Sequence, residues 1–181
     1  MEISEKDIIA LIQNSNSKEK GFNLLLEKYQ ERLYWNIRRI VVAHDDADDV
    51  LQNTCIKIWR GLDKFRAESG LFTWLYRISV NESLQHIKQN KKHTLFLQDD
   101  TQTLLLDKLE SDVFFEGDEI ERKLQEAIIK LPKKQRLVFN MKYYEDLKYD
   151  QISEILGTSV GALKASYHLA IKKIEVFLKE D

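Results

Sequence analysis

The sequence contains few of the residues that break helices or cross-link chains. Its 181 residues include one proline, one cysteine and six glycines. Proline and glycine are the residues that helix interiors tolerate least, so their scarcity favours an all-α fold over a β-sandwich or a disordered chain. The single cysteine, Cys55, excludes an internal disulfide and any zinc site built from several cysteines.

Long apolar runs are also missing. No stretch approaches the roughly 18 consecutive apolar residues of a spanning helix, so we expect a protein that is not embedded in a membrane. Residues 1–7 lack the basic and apolar regions of a signal peptide. We therefore expect a cytoplasmic location.

Charge is distributed unevenly along the chain, although the net charge is only −2. Residues 1–93 carry 15 basic and 13 acidic side chains, and residues 121–181 carry 12 basic and 9 acidic ones. Residues 94–120 carry one lysine and eight acids. This pattern predicts two small helical domains, 1–93 and 118–181, joined by an acidic linker over 94–117.

Apolar residues recur at intervals of three and four along the N-terminal segment, as in amphipathic helices. The spacing predicts one helix over residues 22–40, a second from about Asp46 and a third over about 71–92. In the acidic segment the periodicity is lost, except for one short helix that we expect around 104–109. A new helical pattern begins near Asp118.

The C-terminal segment contains a helix-turn-helix pattern. Pro132 interrupts one helical stretch and suits the first turn of the next helix. Within residues 149–164, a short apolar helix is followed by Gly157, which permits the positive φ of a tight turn. Thr158 or Ser159 can then cap a second helix. In a helix-turn-helix, this second helix enters the major groove of DNA.

The outward face of that second helix has the composition of a DNA-binding surface. No acid occurs between Ser159 and Lys173. Small residues allow close approach to base edges, and lysines can meet guanine or phosphate. An alternative is a helical hairpin that only packs and leaves a solvated lysine face. The predicted DNA-contacting residues are Ser159, Gly161, Lys164, Ala165, His168, Lys172 and Lys173.

Several stretches together resemble a known family. Residues 46–60, 62–66 and 72–81 resemble the promoter-melting domain of extracytoplasmic-function (ECF) sigma factors of bacterial RNA polymerase. Residues 131–173 are similar to the second domain of that family, so the resemblance spans nearly the whole chain in the right order. It implies binding to core RNA polymerase and promoter DNA, initiation of transcription, no catalytic residue, no cofactor and, as is usual for such factors, an anti-sigma factor as partner.

The resemblance also assigns roles to the two domains. The N-terminal domain would recognise the minus-ten promoter element, and the C-terminal helix-turn-helix would recognise the minus-thirty-five element. These elements lie about two DNA turns, or roughly 70 Å, apart. In the recognition helix the family often places Ser-Arg after the basic residue and arginine around the histidine, whereas here those positions are Ala165-Ser166 and residues 169–171. The sequence of the minus-thirty-five element therefore does not follow from the resemblance.

The helix that begins at Asp46 resembles the one that docks on the clamp helices of the largest polymerase subunit. An exposed acidic edge beside a glutamine can pair with a basic partner surface. The alternative is that these acids only cap the helix. The positions that match the polymerase contacts are Asp48, Asp49, Gln52 and Asn53.

The connection after that helix, and the next helix, match the part of the family that captures an unpaired minus-ten base. Aromatic faces and basic side chains stabilise unstacked bases by roughly 1–3 kcal/mol per base. Aromatic residues at helical spacing are more often core, and Trp74 fits the inward stripe. Two interpretations of Asn81 remain: its side chain is a buried, hydrogen-bonded amide, or it contacts DNA. The matching residues are Phe65, Arg66, Phe72, Tyr76, Arg77, Asn81 and Lys88.

Two other functions are open on sequence alone. Residues 45–49 fit the DDxxD pattern with which prenyl-diphosphate synthases hold Mg²⁺, but a second acidic motif is missing. The four histidines show no ligand spacing, so we expect no metal site. The other alternative is a stand-alone helix-turn-helix regulator in which residues 1–93 form an effector or dimerisation domain. It leaves the aromatic and basic run over 65–77 and the acidic linker unexplained.

Overall fold

The computed structural model describes residues 4–93, 101–113 and 117–179, and within these ranges the regular structure is entirely helical. The all-α prediction is confirmed. No helix in the described ranges is long and apolar enough to cross a membrane. A single 3₁₀ turn, Leu62–Lys64, follows α3. The helices are α1 (Glu5–Gln13), α2 (Lys18–Val41), α3 (His44–Gly61), α4 (Leu71–His93), α5 (Thr101–Glu110), α6 (Glu119–Ile129), α7 (Lys133–Tyr143), α8 (Tyr149–Leu156) and α9 (Val160–Lys179).

Local sequence explains where the C-terminal helices begin. Asp118 is the N-cap of α6: its side chain accepts the backbone N–H of Glu121 at 2.8 Å, and the Glu121 carboxylate accepts the N–H of Asp118 at 3.2 Å. This reciprocal pair is a capping box, which satisfies two amides at the helix start. Pro132 is the N-cap of α7, one position before the first turn in which we expected it.

The N-terminal helices pack around α2. Its inward residues Leu25, Leu33 and Ile37 are fully buried, and they follow the spacing seen in the sequence. Ile58 of α3 and Leu75 of α4 are also fully buried, so α1, α3 and α4 each cover one side of α2. The C-terminal helices have a separate core in which Phe139 of α7 and Ala170 and Ile174 of α9 meet the end of α6.

The short helix expected in the acidic segment is present and extends over Thr101–Glu110. It is docked rather than free: Leu105 and Leu109 are buried against Val42 after α2 and Ile129 of α6. Residues 94–100 and 114–116 of the predicted linker lie outside the described residues.

Two ion pairs tie this segment to the N-terminal helices. Asp112 pairs with Arg38 of α2, and Lys108 pairs with Asp46 of α3. Burial alone would raise the pKa of Asp46, but hydrogen bonds from Lys108 and His86 hold that pKa below its usual value. The Asp46 carboxylate therefore stays charged and fastens α5 to α3.

A further apolar cluster joins the two halves of the chain. Ile40 of α2 and Tyr76 and Val80 of α4 are buried against side chains of the C-terminal helices. These buried side chains form one cluster, so the two predicted domains do not lie apart as on a free linker. The C-terminal members of this cluster are Leu137, Val138, Met141, Leu147, Ile152, Ile155 and Leu163.

The turn between α8 and α9 gives a prediction for stability. Gly157 has φ +62°, and an added Cβ would meet nothing within 4 Å, so Gly157→Ala introduces backbone strain without a clash. We expect a loss of about 1–2 kcal/mol in the free energy of unfolding. Gly161 is exposed within α9 and equally uncrowded, so Gly161→Ala should stabilise by about 0.5–1 kcal/mol. Urea titrations followed by circular dichroism measure both. Equal effects of the same sign would contradict the assigned turn.

Candidate nucleic-acid and protein interfaces

The predicted polymerase contacts lie together on one exposed face of α3. Asp48, Asp49, Gln52 and Asn53 are all exposed, while the opposite face of the helix is buried. The N-cap of α3 is Ala43, which makes no side-chain cap hydrogen bond. Asp48 and Asp49 lie beyond the first turn, so capping does not account for them.

Two residues that the sequence analysis missed extend this face. Ile56 and Trp59 are 43% and 38% exposed, and they continue the three-to-four residue spacing from Gln52. Lys18 lies over the Trp59 ring at 4.7 Å, which holds the indole in place on the surface. Exposed apolar side chains grouped with polar ones mark protein-binding surfaces. The signal in the sequence that could have identified Ile56 and Trp59 was their position outside the predicted buried stripe of α3. We call the six residues Asp48, Asp49, Gln52, Asn53, Ile56 and Trp59 the α3 face.

A small cavity of about 220 Å³ forms where the connection 64–69 meets α4. Phe65 forms part of its wall and is largely buried, with its ring 4.9 Å from that of Trp74. Arg66 is exposed beside the cavity. Glu154 of α8 reaches the same cavity from the C-terminal half of the chain.

The seven predicted minus-ten residues divide into accessible and covered ones. Arg66, Asn81 and Lys88 are exposed, so a buried amide is the wrong interpretation of Asn81. Tyr76 is only 1% exposed, because the C-terminal helices pack over it. In this arrangement Tyr76 cannot reach DNA, contrary to its predicted role.

The remaining aromatic residues of α4 also pack. Phe72 is partly buried, with its ring 5.7 Å from Tyr29 and 5.4 Å from Tyr76. Trp74 packs on Phe65 as expected. In this conformation Phe65 and Tyr76 are buried, as aromatic residues at helical spacing usually are. They are therefore not available for the predicted DNA contact.

The first helix of the helix-turn-helix pattern, α8, lies directly on α4. Arg77, a predicted minus-ten residue, donates to the Glu154 carboxylate at 2.9 Å. Gln151 donates to the Thr73 hydroxyl at 3.4 Å. Burial, reinforced by the nearby charge of Glu145, raises the pKa of Tyr76 well above its usual value, so its hydroxyl stays protonated.

The predicted recognition helix, α9, presents its outward face to solvent. Gly157 takes the left-handed conformation that the turn requires, and Ser159 accepts the N–H of Ala162 at 3.4 Å near the start of the helix. Leu163 and Ala170 are buried on the inward side. All seven predicted minus-thirty-five residues are exposed, namely Ser159, Gly161, Lys164, Ala165, His168, Lys172 and Lys173.

Comparison with known families matches both halves of the chain. The family model of sigma-70 region 2 matches residues 25–93, and that of sigma-70 region 4 matches residues 121–174. The ECF RNA polymerase sigma-E factor of Haemophilus influenzae is 28% identical, over 96% of this chain and 95% of the relative. The RNA polymerase sigma-H factor of Pseudomonas aeruginosa is also 28% identical, over 97% and 94%. This chain belongs to the sigma-70 family, as an ECF sigma factor.

Solved structures share the fold of this sigma factor. The sigma factor RpoE from Bartonella quintana, crystallised with the anti-sigma factor NepR, superposes with a TM-score of 0.70 at 20% identity, covering 90% of this chain and 99% of that one. CnrH, solved with the cytosolic domain of CnrY, gives a TM-score of 0.69 at 20% identity, covering 98% and 99%.

Family membership decides between the functions that the sequence left open. Region 2 occupies the part of the chain that a stand-alone regulator would use as an effector or dimerisation domain, so that alternative is not favoured. The acids over 45–49 fall inside region 2, and sigma factors are not enzymes. Within the described ranges, no three His, Cys, Asp or Glu side chains are grouped to hold a metal ion. Asp46 is engaged by Lys108 and His86.

The α3 face gives a prediction for binding to core polymerase. Asp49→Lys and Gln52→Arg should abolish co-purification with core enzyme, because each places positive charge where a basic partner is expected. Trp59→Ala should weaken binding about tenfold or more, since exposed tryptophans often carry much of an interface's energy. Glu27→Lys, an exposed reversal on α2, is the matched control and should bind normally. Retained core binding by the Asp49 and Gln52 variants, with circular dichroism unchanged, would contradict the docking role.

Proposed function

We propose that this ECF sigma factor docks on core RNA polymerase through the α3 face and reads its promoter with two separate surfaces. Residues 65–88 would hold the minus-ten element, and the outward face of α9 would read the minus-thirty-five element. The observation that supports the assignment is the pairing of a mixed acidic and apolar face on α3 with an acid-free face on α9. A surface that docks on a basic protein partner is expected to carry acids and apolar side chains, whereas a surface that reads DNA is expected to lack acids.

The domain boundaries belong to the same proposal. Residues 1–93 would form the region 2 domain and residues 118–181 the region 4 domain, with 94–117 between them. The acidic character of that connecting segment disfavours contact with DNA and favours a basic channel of the polymerase. We place the protein in the cytoplasm, where polymerase and chromosome are found, and assign it no cofactor. The relatives solved with NepR and CnrY support an anti-sigma protein as a further partner.

The two classes of contact on α9 differ in what they recognise. Lys164, near the start of the helix, lies 5.7 Å from the ring of Tyr149, which limits its motion and suits it to reading a base edge. Gly161 and Ala165 beside it are small and exposed, so the backbone can approach the groove closely. Lys172 and Lys173 lie two turns further along and suit phosphate contacts.

These two roles predict different mutant behaviour in holoenzyme. Lys164→Ala should cost about 1–3 kcal/mol on the preferred promoter and relax specificity at one base position. Lys172→Ala should weaken all sequences alike and lower the salt slope by roughly one. Binding titrations on duplexes with single base changes, at several salt concentrations, distinguish them. Unchanged affinity in both variants would leave the outward face of α9 as a solvated surface.

The function itself is tested by reconstitution. Purified protein is mixed with core RNA polymerase and genomic DNA, and the 5′ ends of the transcripts are sequenced. We expect discrete start sites that share two upstream sequence elements about two DNA turns apart. The Asp49→Lys variant serves as the control and should give no such transcripts. Site-specific DNA binding without any stimulation of core enzyme would instead indicate a stand-alone regulator.

A further inference from the structure

The recognition helix exposes a leucine on the face that we assign to the minus-thirty-five element. Leu169 is 47% exposed, whereas Leu163, Ala170 and Ile174 of the same helix are buried. A helix turns by about 100° per residue, so Leu169 lies about 60° from the direction opposite the buried residues. By the same measure Lys164, which we assign to a base edge, lies about 80° from it. Leu169 therefore belongs to the outward face at least as fully as the lysine does.

The distance along the helix also places Leu169 within reach of base pairs. At about 1.5 Å per residue, Leu169 follows Gly161 by about 12 Å, which matches the major-groove width of about 12 Å. Recognition helices contact base edges with residues of their N-terminal part. Val176 is 57% exposed on the same side of α9, but it follows Gly161 by about 22 Å. A helix that enters the groove at Gly161 therefore brings Leu169 to the bases and leaves Val176 outside.

The polar groups that usually distinguish bases are scarce on this part of α9. Its exposed residues from Gly161 to Leu169 include no arginine, asparagine or glutamine, the side chains best suited to pair with guanine or adenine through two hydrogen bonds. Ala165 is exposed one turn before Leu169, and Cβ atoms at this spacing on a helix are about 5–6 Å apart. The two side chains therefore form one exposed apolar patch, which we call the Ala165–Leu169 patch.

An apolar patch in the major groove can distinguish one base from the others. Thymine is the base that presents a methyl group there, on C5. Contact between that methyl group and the patch removes apolar surface from water, which stabilises the complex. A guanine at the same position would have its N7 and O6 acceptors covered by a side chain that donates no hydrogen bond, which is costly. The patch therefore favours thymine and disfavours guanine.

We propose that Leu169 is a specificity-determining residue, which together with Ala165 reads thymine methyl groups in the minus-thirty-five element. The patch spans about 5–6 Å and successive base pairs are about 3.4 Å apart, so it faces one or two positions. The element then has an A·T pair at each of them, while Lys164 reads a separate position. The inference rests on the proposed assignment of α9 to the minus-thirty-five element.

The test replaces single thymines by deoxyuridine, which lacks the C5 methyl group but keeps base pairing and every hydrogen-bonding group. Reconstituted holoenzyme is titrated with duplexes of a promoter mapped by transcript sequencing, each with one deoxyuridine in the minus-thirty-five element. At one or two positions, wild type should bind about fourfold more weakly, the loss expected for one buried methyl group. The Leu169→Ala variant should bind the thymine duplex about fourfold more weakly than wild type and should no longer distinguish thymine from uracil at the position that Leu169 faces.

The matched control is Val176→Ala, which removes an exposed apolar side chain from the same side of α9 outside the groove. It should keep the affinity of wild type and its sensitivity to deoxyuridine. Leu169→Arg gives a readout that a merely structural role of the leucine would not give, because arginine pairs with guanine through two hydrogen bonds. At the position that Leu169 faces, this variant should prefer G·C over A·T, the reverse of wild type.

The inference is wrong if wild-type holoenzyme binds every deoxyuridine duplex as tightly as the thymine duplex, or if Leu169→Ala stays sensitive at every position where wild type is. It is also wrong if Leu169→Ala weakens binding equally on all templates, including one without a minus-thirty-five element, since Leu169 would then contact the polymerase. If Lys164→Ala still weakens promoter binding in these cases, the assignment of α9 to DNA stands without the inference. If neither Lys164→Ala nor Leu169→Ala changes affinity for the element, that assignment fails and the inference falls with it.

Discussion

The arrangement of the two halves of this sigma factor depends on how one nearly buried carboxylate is compensated. Glu145 lies between Arg32 and Arg39 of α2, at the edge of the apolar cluster that α7 and α8 share with α2 and α4. Removing such a charge from water is costly, so the contact is stable only while both arginines stay in place. A change that moves either arginine leaves the Glu145 carboxylate without full compensation and therefore weakens the junction.

The junction also explains why residues suited to DNA are found packed inside the protein. Tyr76 and Phe72 have apolar rings that can be covered by α8 or can face unstacked bases, since both environments remove the ring from water. Arg77 can pair with the carboxylate of Glu154 or with a phosphate. For these side chains, the contact with α8 and the proposed contact with DNA exclude each other, whereas the α3 face, which we propose binds polymerase, lies outside the junction.

Local patterns were sufficient to predict most of the helices and the exposed site residues. Periodicity and caps placed the helix-turn-helix with Gly157 at its turn, and the outward residues of α9 followed from the absence of acids. The covered state of Tyr76 could not be predicted, because it depends on contacts between residues more than 60 positions apart in the chain. Likewise Ile56 and Trp59 resembled ordinary apolar positions until the orientation of α3 showed that they face solvent.

The central claim is that the two halves of the chain are packed against each other, and an interdomain distance tests this most directly. Spin labels are placed on Gln30→Cys of α2 and Asp150→Cys of α8, both exposed positions, in a Cys55→Ser background. Pulsed electron–electron double resonance should give one short, narrow distance distribution, because α8 packs against the N-terminal helices. A broad distribution that extends to much longer distances would contradict the account.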